Sequence, residues 1–185
     1  MTIVVFRRRY SVCPERMKHI DAIIMKLQDR GVTVVHIAEI VRRLQERYHP
    51  NLTVEECQES VLHVLEKREV QHALYTGIAL DELAEQKKLP QPLQTIMERD
   101  EPLYGVDEIL ALSITNIYGT IGLTNFGYLD KVKVGIIGTI NDNRSQIHVF
   151  LDDLVAAVAA AAAARIAHQY GADDYNRNWH APENS

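Results

Sequence analysis

Apolar side chains recur at every third or fourth position along most of the chain, which is the spacing of one face of an α-helix. In residues 150–169, leucine, valine and isoleucine keep this spacing, and alanine fills most of the positions between them. Alanine has the highest helix propensity, and a helix that has no polar face belongs inside a domain. The pattern therefore predicts that residues 150–169 form a central, buried helix.

The same periodicity predicts several shorter helices before the central one. Thr33 and Thr53 are placed to cap the starts of two of them, and Glu56 completes a capping box with Thr53. Gly77 falls inside a predicted helix over residues 70–86, where it indicates a kink or a close contact. Glycines are frequent between residues 119 and 138, so that stretch is predicted to be a short helix with loops.

Composition is that of one globular domain, with 46% hydrophobic and 24% charged residues in a chain of 185. Only 6% of the residues are aromatic, which favours closely packed helices over a β-sandwich or barrel. We therefore predict an all-α fold, a single domain with a central alanine-rich helix surrounded by several other helices. The domain is expected over residues 17–170, between a poorly anchored N-terminal extension (1–16) and a disordered polar tail (171–185).

The charge and cysteine content exclude several classes of protein. A net charge of −5 gives no general attraction to nucleic acid, and no basic recognition helix follows the turn at residues 31–38. Cys13 and Cys57 lack metal-type spacing, which indicates reduced thiols and a cytoplasmic protein. The apolar run 154–164 is shorter than the roughly 20 residues of a membrane helix, so no transmembrane span is expected. Alanine-rich helices often pack across symmetric interfaces, so we expect a homo-oligomer.

Two acidic pairs, Asp107 with Glu108 and Asp152 with Asp153, stand at the starts of helices whose next turns are almost wholly apolar. Burying an unpaired carboxylate is costly, or forces the group to hold a proton. One explanation is that each pair is an N-terminal charge pair favoured by the helix dipole. The other explanation is that both pairs bind one divalent cation, which would account for an acidic pair at the start of each of these apolar helices. We favour this explanation, and we expect the two pairs to converge in space on one face of the domain.

Asp130 and Lys133 lie between the two acidic pairs in sequence. They share one face if residues 128–133 are helical, and as a surface ion pair they would contribute about 0.5 kcal/mol. Alternatively, the ammonium group of Lys133 would lie beside phosphate oxygens. Arg144, in the polar turn that leads to the central helix, is a second candidate for that role.

These three segments, in this order, resemble the phosphatidylglycerophosphatase A family, especially its soluble branch similar to the low temperature requirement C proteins of Gram-positive bacteria. Residues 106–109 (Val-Asp-Glu-Ile) are similar to the acidic helix start of that family. Residues 126–133 (Phe-Gly-Tyr-Leu-Asp-Lys-Val-Lys) are similar to its Phe-x-x-x-Asp-x-x-Lys segment. Residues 150–156 (Phe-Leu-Asp-Asp-Leu-Val-Ala) resemble its Asp-Asp signature. The resemblance covers residues 101–168.

The resemblance implies an all-helical fold around one central helix and a magnesium-dependent phosphomonoesterase that releases phosphate from phosphatidylglycerophosphate. The four carboxylates of the acidic pairs would hold Mg²⁺, which prefers hard oxygen ligands. Lys133, together with Arg144, would bind the phosphate and neutralise its charge, and Asp130 would orient Lys133 or accept a proton. A phosphorylated lipid or a small phosphoester would be the substrate, with transient membrane contact and no nucleic acid.

Two alternatives remain open from the sequence. A homologue of the phosphatases would keep the metal but act on a soluble phosphoester. A non-catalytic helical regulatory or scaffold protein would use the acidic pairs only for structure. The absence of a Cys-x5-Arg motif indicates that no phosphocysteine intermediate forms in any of these cases.

Overall fold

The computed structural model of the chain describes the backbone of residues 14–179 and the side chains of residues 19–170. Within that part of the chain the regular structure is entirely helical, so the predicted all-α class is confirmed. The helices are α1 (Pro14–Asp29), α2 (Val34–Gln45), α3 (Val54–Leu65), α4 (Arg68–Glu85), α5 (Leu93–Arg99), α6 (Val106–Thr115), α7 (Gly119–Val132), α8 (Ile136–Asn141) and α9 (Leu151–Trp179). A short 3₁₀ turn, Asn116–Tyr118, joins α6 to α7.

Helix α9 is the centre of the fold. Every residue from 151 to 164 is buried, and α2, α3, α4, α6, α7 and α8 all pack against this helix. Small alanine side chains let the neighbouring helices approach closely, and Ser60 of α3 donates a hydrogen bond to the carbonyl oxygen of Ala162 at 2.9 Å. The predicted central helix is therefore confirmed.

The C-terminal end of α9 differs from the prediction. The helix does not end at Gln169 but continues to Trp179, so the segment that was predicted to be a disordered tail begins within it. A polar sequence indicates exposure to solvent, and polarity by itself does not end a helix. At the other end of the chain, α1 begins at Pro14, inside the predicted extension. Residues 1–13 and 180–185 lie outside the described part.

The predicted capping residues have the predicted contacts. The hydroxyl of Thr53 accepts a hydrogen bond from the amide of Glu56 at 3.2 Å, and a Glu56 carboxylate oxygen accepts from the amide of Thr53 at 2.8 Å. Thr33 caps α2 in the same way, with His36 as the reciprocal partner. Cys57 is a buried free thiol, whereas Cys13 lies outside the described residues.

Gly77 marks the closest approach of α4 to α9. A Cβ atom at this position would lie 2.5 Å from Cδ1 of Leu154 and 2.9 Å from Cβ of Phe150, so only glycine fits. Of the two possibilities that the sequence left open, a kink or a close contact, the structure therefore shows the close contact. This contact brings α4 against the first turn of α9, where the acidic residues stand.

Within the glycine-rich stretch 119–138, residues Gly119–Val132 form one continuous helix of 14 residues, so the prediction of a short helix was wrong for this part. The predicted loop is present only at residues 133–135, between α7 and α8. Gly122 permits a contact here, because a Cβ atom would lie 2.9 Å from the carbonyl oxygen of Thr115. Gly119 has a φ angle of +71° and turns the chain between the 3₁₀ turn and α7. Two of the glycines thus serve packing and a turn, and they do not interrupt the helix.

The stretch Val106–Val132, which spans α6 and α7, is also long and apolar enough to cross a membrane by length and composition. Its most apolar window has a mean hydropathy of 1.2, and 28% of that window is buried. Residues 109–129 carry no charge, whereas the expectation of no transmembrane span was based on the alanine run alone. The stretch is not one straight rod, because it turns at Gly119, and both of its helices pack against α9.

Candidate active site

Asp81 of α4 fixes the start of α9. Its two carboxylate oxygens accept hydrogen bonds from the backbone amides of Phe150 at 3.2 Å and Leu151 at 3.1 Å. The side chain is completely buried, and burial raises the pKa of Asp81 to about 8, although the two amides and the nearby Arg30 act in the opposite direction. Two of the free amides at the helix start are thereby satisfied by a side chain from another helix.

Asp152 and Asp153 follow directly after this anchor, in the first turn of α9. Only 7% of Asp152 and 4% of Asp153 is exposed. Burial raises the pKa of both carboxyl groups, and Asp152 raises that of Asp153 further by charge repulsion. The two groups are therefore held in a place where their negative charges are costly unless a cation lies beside them.

Lys133 supplies one such cation. It ends α7 with a φ angle of +49°, a left-handed conformation that is uncommon for a residue with a side chain. Its ammonium nitrogen Nζ donates to Asp130 Oδ1 and to Asp152 Oδ2, both at 2.8 Å. A third hydrogen bond, of 3.1 Å, goes to Asp153 Oδ1. Burial alone would lower the pKa of Lys133, but the three carboxylates raise it above its usual value, so the side chain is charged.

The two acidic pairs line one cavity of about 490 Å³, so the prediction that they converge is confirmed. Asp107 and Glu108 reach it from the first turn of α6, and Asp152 and Asp153 from that of α9. The Oδ1 atom of Asp107 is buried and has no hydrogen-bond partner among the described residues. The cavity is further lined by the polar side chains Lys87, Asp100, Asp130, Lys133, Asn143, Arg144 and His148.

The loop before α9, which forms one wall of the cavity, is held in place by Arg30. The Nη2 atom of this side chain donates to the carbonyl oxygen of Ile147 at 2.6 Å and contacts His148 Nδ1 at 3.0 Å. It also forms an ion pair with Glu85 at 2.8 Å, and Glu85 accepts the amide hydrogen of Ile147 at 2.9 Å. Burial, together with the guanidinium group of Arg30, lowers the pKa of His148 to about 4. His148 is therefore neutral at pH 7 and accepts the hydrogen bond of Arg30.

Arg144 belongs to the same loop and lines the cavity, as expected of a phosphate-binding residue. Its side chain is exposed, and it forms no ion pair with any residue of the described part. Its charge is therefore available to an anion that enters the cavity. Lys87, which the sequence analysis did not single out, lines the cavity as a further cation.

Sequence reasoning missed Asp100 and Asp81. Asp100 ends α5 with a φ angle of +48°, lines the cavity, and its charge raises the pKa of Asp152. Nothing in the local sequence distinguishes it from a surface aspartate. Asp81 had a visible signal: it stands at helical spacing from the buried residues Leu74, Ile78 and Ala84, so an acidic group occupies a core position of an amphipathic helix.

Whether these residues suit a magnesium ion depends on the chemistry of their atoms. No three Asp, Glu, His or Cys side chains in the described part of the chain already stand at metal-binding spacing. Mg²⁺, however, is usually held by one or two carboxylates, with water and substrate phosphate completing the shell. The two acidic pairs offer oxygen ligands only, and one of these oxygens, Asp107 Oδ1, is buried and has no hydrogen-bond partner within the described part of the chain. The donor set therefore fits Mg²⁺.

Comparison with known proteins agrees with the geometry. A family profile described as phosphatidylglycerophosphatase A matches residues 32–168, which contain all of the candidate site residues. Among curated proteins, the uncharacterized protein YpjQ of Bacillus subtilis is 62% identical over 144 residues, covering 78% of this chain and 81% of YpjQ. The uncharacterized protein YutG of the same organism is 59% identical over 145 residues, covering 78% of this chain and 87% of YutG.

Solved structures show the same fold. The crystal structure of YpjQ from Bacillus subtilis superposes with a TM-score of 0.82 at 57% identity and covers 85% of this chain and 98% of that one. The low temperature requirement C protein of Listeria monocytogenes superposes with a TM-score of 0.80 at 55% identity, covering 83% and 97% of the two chains.

Proposed function

The chain belongs to the phosphatidylglycerophosphatase A family, and from this premise we propose that it is a Mg²⁺-dependent phosphomonoesterase that converts phosphatidylglycerophosphate to phosphatidylglycerol and phosphate. The observation that carries the proposal is the position of Lys133, which joins the acidic start of α9 to Asp130 within a cavity that also receives Asp107 and Glu108. All three segments that carry the family resemblance thus meet at one place.

Asp107, Glu108, Asp152 and Asp153 are the residues that would hold Mg²⁺ in this cavity. When bound, the ion polarises phosphoryl oxygens and lowers the pKa of a coordinated water. The burial of Asp152 and Asp153 supports this assignment, because two adjacent carboxylates at 7% and 4% exposure carry more negative charge than Lys133 alone neutralises.

The chain's own cations would bind the phosphate of the substrate. Lys133 carries its charge beside the buried acidic pair of the cavity, and Arg144 carries a second charge on an exposed side chain that lines the same cavity. Guanidinium and ammonium groups bind phosphate oxygens by charge-assisted hydrogen bonds. Their charges stabilise the additional negative charge that develops on the phosphoryl oxygens during transfer.

Asp130 has two roles in this proposal. It accepts a hydrogen bond of 2.8 Å from Lys133 and so orients the ammonium group. Its side chain is 34% exposed, compared with 10% for that of Asp152 and 6% for that of Asp153. Among the three carboxylates bonded to Lys133, Asp130 is thus the one that water reaches most easily. We therefore assign to Asp130 the uptake of the proton from the attacking water.

The test is the release of inorganic phosphate from phosphatidylglycerophosphate in detergent, with Mg²⁺ or with a chelator. The wild-type protein should hydrolyse the lipid only with Mg²⁺, and Asp152→Asn should be slower by about 10²-fold or more. Asp142→Asn is the matched control, because Asp142 is an exposed aspartate that does not line the cavity. Equal rates for the two variants would contradict the proposed site.

A second substrate separates the two alternatives. Glycerol 3-phosphate, offered without detergent, presents the same phosphomonoester without the acyl chains. If the protein hydrolyses this ester but not the lipid, its function is that of a phosphatase of soluble esters and not of a lipid phosphatase. No hydrolysis of either compound, with any divalent cation, would leave a regulatory or scaffold protein. The cytoplasmic location and the homo-oligomeric state remain predictions in each case.

A further inference from the structure

A second groove, of about 470 Å³, lies between α2 and α7 and shares no lining residue with the acidic cavity. Its lining includes the cationic residues Arg43 and Arg47, together with the aromatic residues Tyr48 and Tyr128. The C-terminal turns of α7 contribute to both sites. Asp130 lines the acidic cavity, and Tyr128 lines the groove. None of the candidate metal-binding, catalytic or phosphate-binding residues of the acidic cavity lines this groove, although Tyr128 and Leu129 belong to the segment 126–133 that carries the family resemblance.

Arg43 and Arg47 are four residues apart, in the last turn of α2 and the turn that follows it. Both residues line the groove, Arg43 from α2 and Arg47 from the turn after it. Both side chains are exposed, and neither forms an ion pair or a hydrogen bond with a residue of the described part. They leave their donor groups available to a ligand.

The rest of the groove also offers mainly hydrogen-bond donors. The Nδ2 atom of Asn125 is buried and has no acceptor among the described residues, and this side chain lines the groove. Tyr48 and Tyr128 are 75% and 50% exposed, and each carries a phenolic hydroxyl that can donate. Glu46 is the one acidic side chain among the described lining residues. Donors that outnumber acceptors in this way favour an anion.

We propose that the groove between α2 and α7 binds a phosphate group. Guanidinium groups present planar pairs of N–H donors that match the oxygens of phosphate, and two such groups that line one groove can hold one phosphate between them. The ligand is a phosphate monoester or diester, supplied either by a soluble compound or by the headgroups of an anionic lipid surface. The proposal does not depend on the assignment of the acidic cavity as a phosphatase site.

The test measures the binding of inorganic phosphate and glycerol 3-phosphate by calorimetry in a buffer that contains a chelator. Without a divalent cation the carboxylates of the acidic cavity disfavour an anion, so phosphate binding reports on the groove. The test variant is the double substitution Arg43→Gln and Arg47→Gln. The matched control is Arg42→Gln with Arg68→Gln, which removes the same charge from two exposed arginines that do not line the groove.

The wild-type and control proteins should bind phosphate equally, and the groove variant should bind at least tenfold more weakly. A parallel sedimentation assay with phosphatidylglycerol and phosphatidylcholine vesicles identifies the source of the phosphate. If the protein binds none of the soluble compounds but binds phosphatidylglycerol vesicles in a way that requires Arg43 and Arg47, the result supports the proposed phosphate site and identifies a lipid headgroup as its ligand. Binding to neither probe, or an equal loss in the groove and control variants, overturns the proposal.

Discussion

The ammonium group of Lys133 lies 2.8 Å from a carboxylate oxygen of Asp152, across 19 residues of sequence. The segment between the two residues, which contains α8, brings the end of α7 to the start of α9. The left-handed conformation of Lys133 directs the chain out of α7 into this segment. This ion pair neutralises part of the charge of the buried acidic pair, and both of its residues line the acidic cavity.

Lys133→Ala should therefore lower both turnover and metal-free stability. Without the ammonium group, the pKa values of Asp152 and Asp153 rise further above their usual range. The folded state then keeps protons that the unfolded state releases, so stability falls as pH increases above about 4. We expect a loss of about 3 kcal/mol at pH 8 in chelator and a smaller loss at pH 5.

Chemical denaturation at the two pH values measures this difference. Lys131→Ala is the control, because Lys131 is an exposed lysine near the same end of α7 that does not line the cavity. A loss in Lys133→Ala that is the same at pH 5 and pH 8 would show that the ion pair does not control the ionisation of the acidic pair.

Asp81 should matter through its two hydrogen bonds to the start of α9. Asp81→Ala leaves the amides of Phe150 and Leu151 buried without acceptors, at a cost of about 2 to 4 kcal/mol. Asp81→Asn keeps one acceptor oxygen for the two amides and cannot be ionised, so it should cost less than Asp81→Ala.

The raised pKa of Asp81, about 8, gives a pH test of this residue. Between pH 4 and pH 8 the folded protein holds a proton on Asp81 that the unfolded chain has released, so this group makes stability fall as pH rises. Melting curves at pH 5 and pH 8 should show a smaller decline for Asp81→Asn than for the wild type. Identical declines would mean that Asp81 is already ionised in the folded protein at pH 5.

Two glycine substitutions test the packing around α9. Gly77→Ala places a methyl group 2.5 Å from Leu154 and 2.9 Å from Phe150, and we expect it to destabilise the protein by about 1 to 3 kcal/mol. Gly127→Ala is the control within α7, where an added Cβ atom has no neighbour within 4 Å. This substitution should stabilise by roughly 0.5 kcal/mol, because alanine favours a helix interior. Relative to the wild type, the free energy of unfolding should decrease for Gly77→Ala and increase for Gly127→Ala, and changes of the same sign would contradict the close contact of α4 and α9.

His148 should contribute to acid sensitivity. The pKa of this side chain is lowered to about 4 in the folded protein, since burial and Arg30 oppose its protonation. Between pH 6.5 and pH 4 the unfolded chain binds a proton that the folded protein does not, so stability falls as pH falls through this range. His148→Asn keeps an acceptor for Arg30 and cannot be protonated, and it should reduce this fall. His72→Asn, at an exposed position, should leave the fall unchanged, and equal melting profiles for the two variants would contradict the account.

Local signals in the sequence were sufficient for much of the fold. The capping box of Thr53 and Glu56 involves residues three positions apart, and the central helix follows from alanine content, so both could be predicted. Gly122 was misread, because its reason is a contact with Thr115 that the sequence does not show. The end of α9 was also placed too early, since polar composition was taken as a sign of disorder.

The candidate site shows the same division. The two acidic pairs were visible in the sequence, because each is an acidic start to an otherwise apolar helix. Their exact partners depend on tertiary structure. Lys133 donates a hydrogen bond to Asp152, 19 residues away in sequence, and the amide of Leu151 donates one to Asp81, 70 residues away. Asp100 reaches the cavity from the end of α5, which packs against α4, and no local pattern reveals this placement.

The most direct test of the central claim is a calorimetric titration of Mg²⁺ into the wild-type protein, Asp153→Asn and the control Asp142→Asn. If the buried acidic pair helps to hold the ion, the wild type and the control should bind Mg²⁺ with equal affinity, and Asp153→Asn should bind at least tenfold more weakly. Asp153→Asn should also be no less stable than the wild type in chelator at pH 8, because it removes one of two adjacent buried charges. Equal affinity for Mg²⁺ in all three proteins, or no binding by the wild type, would contradict the assignment of this cavity as a metal site.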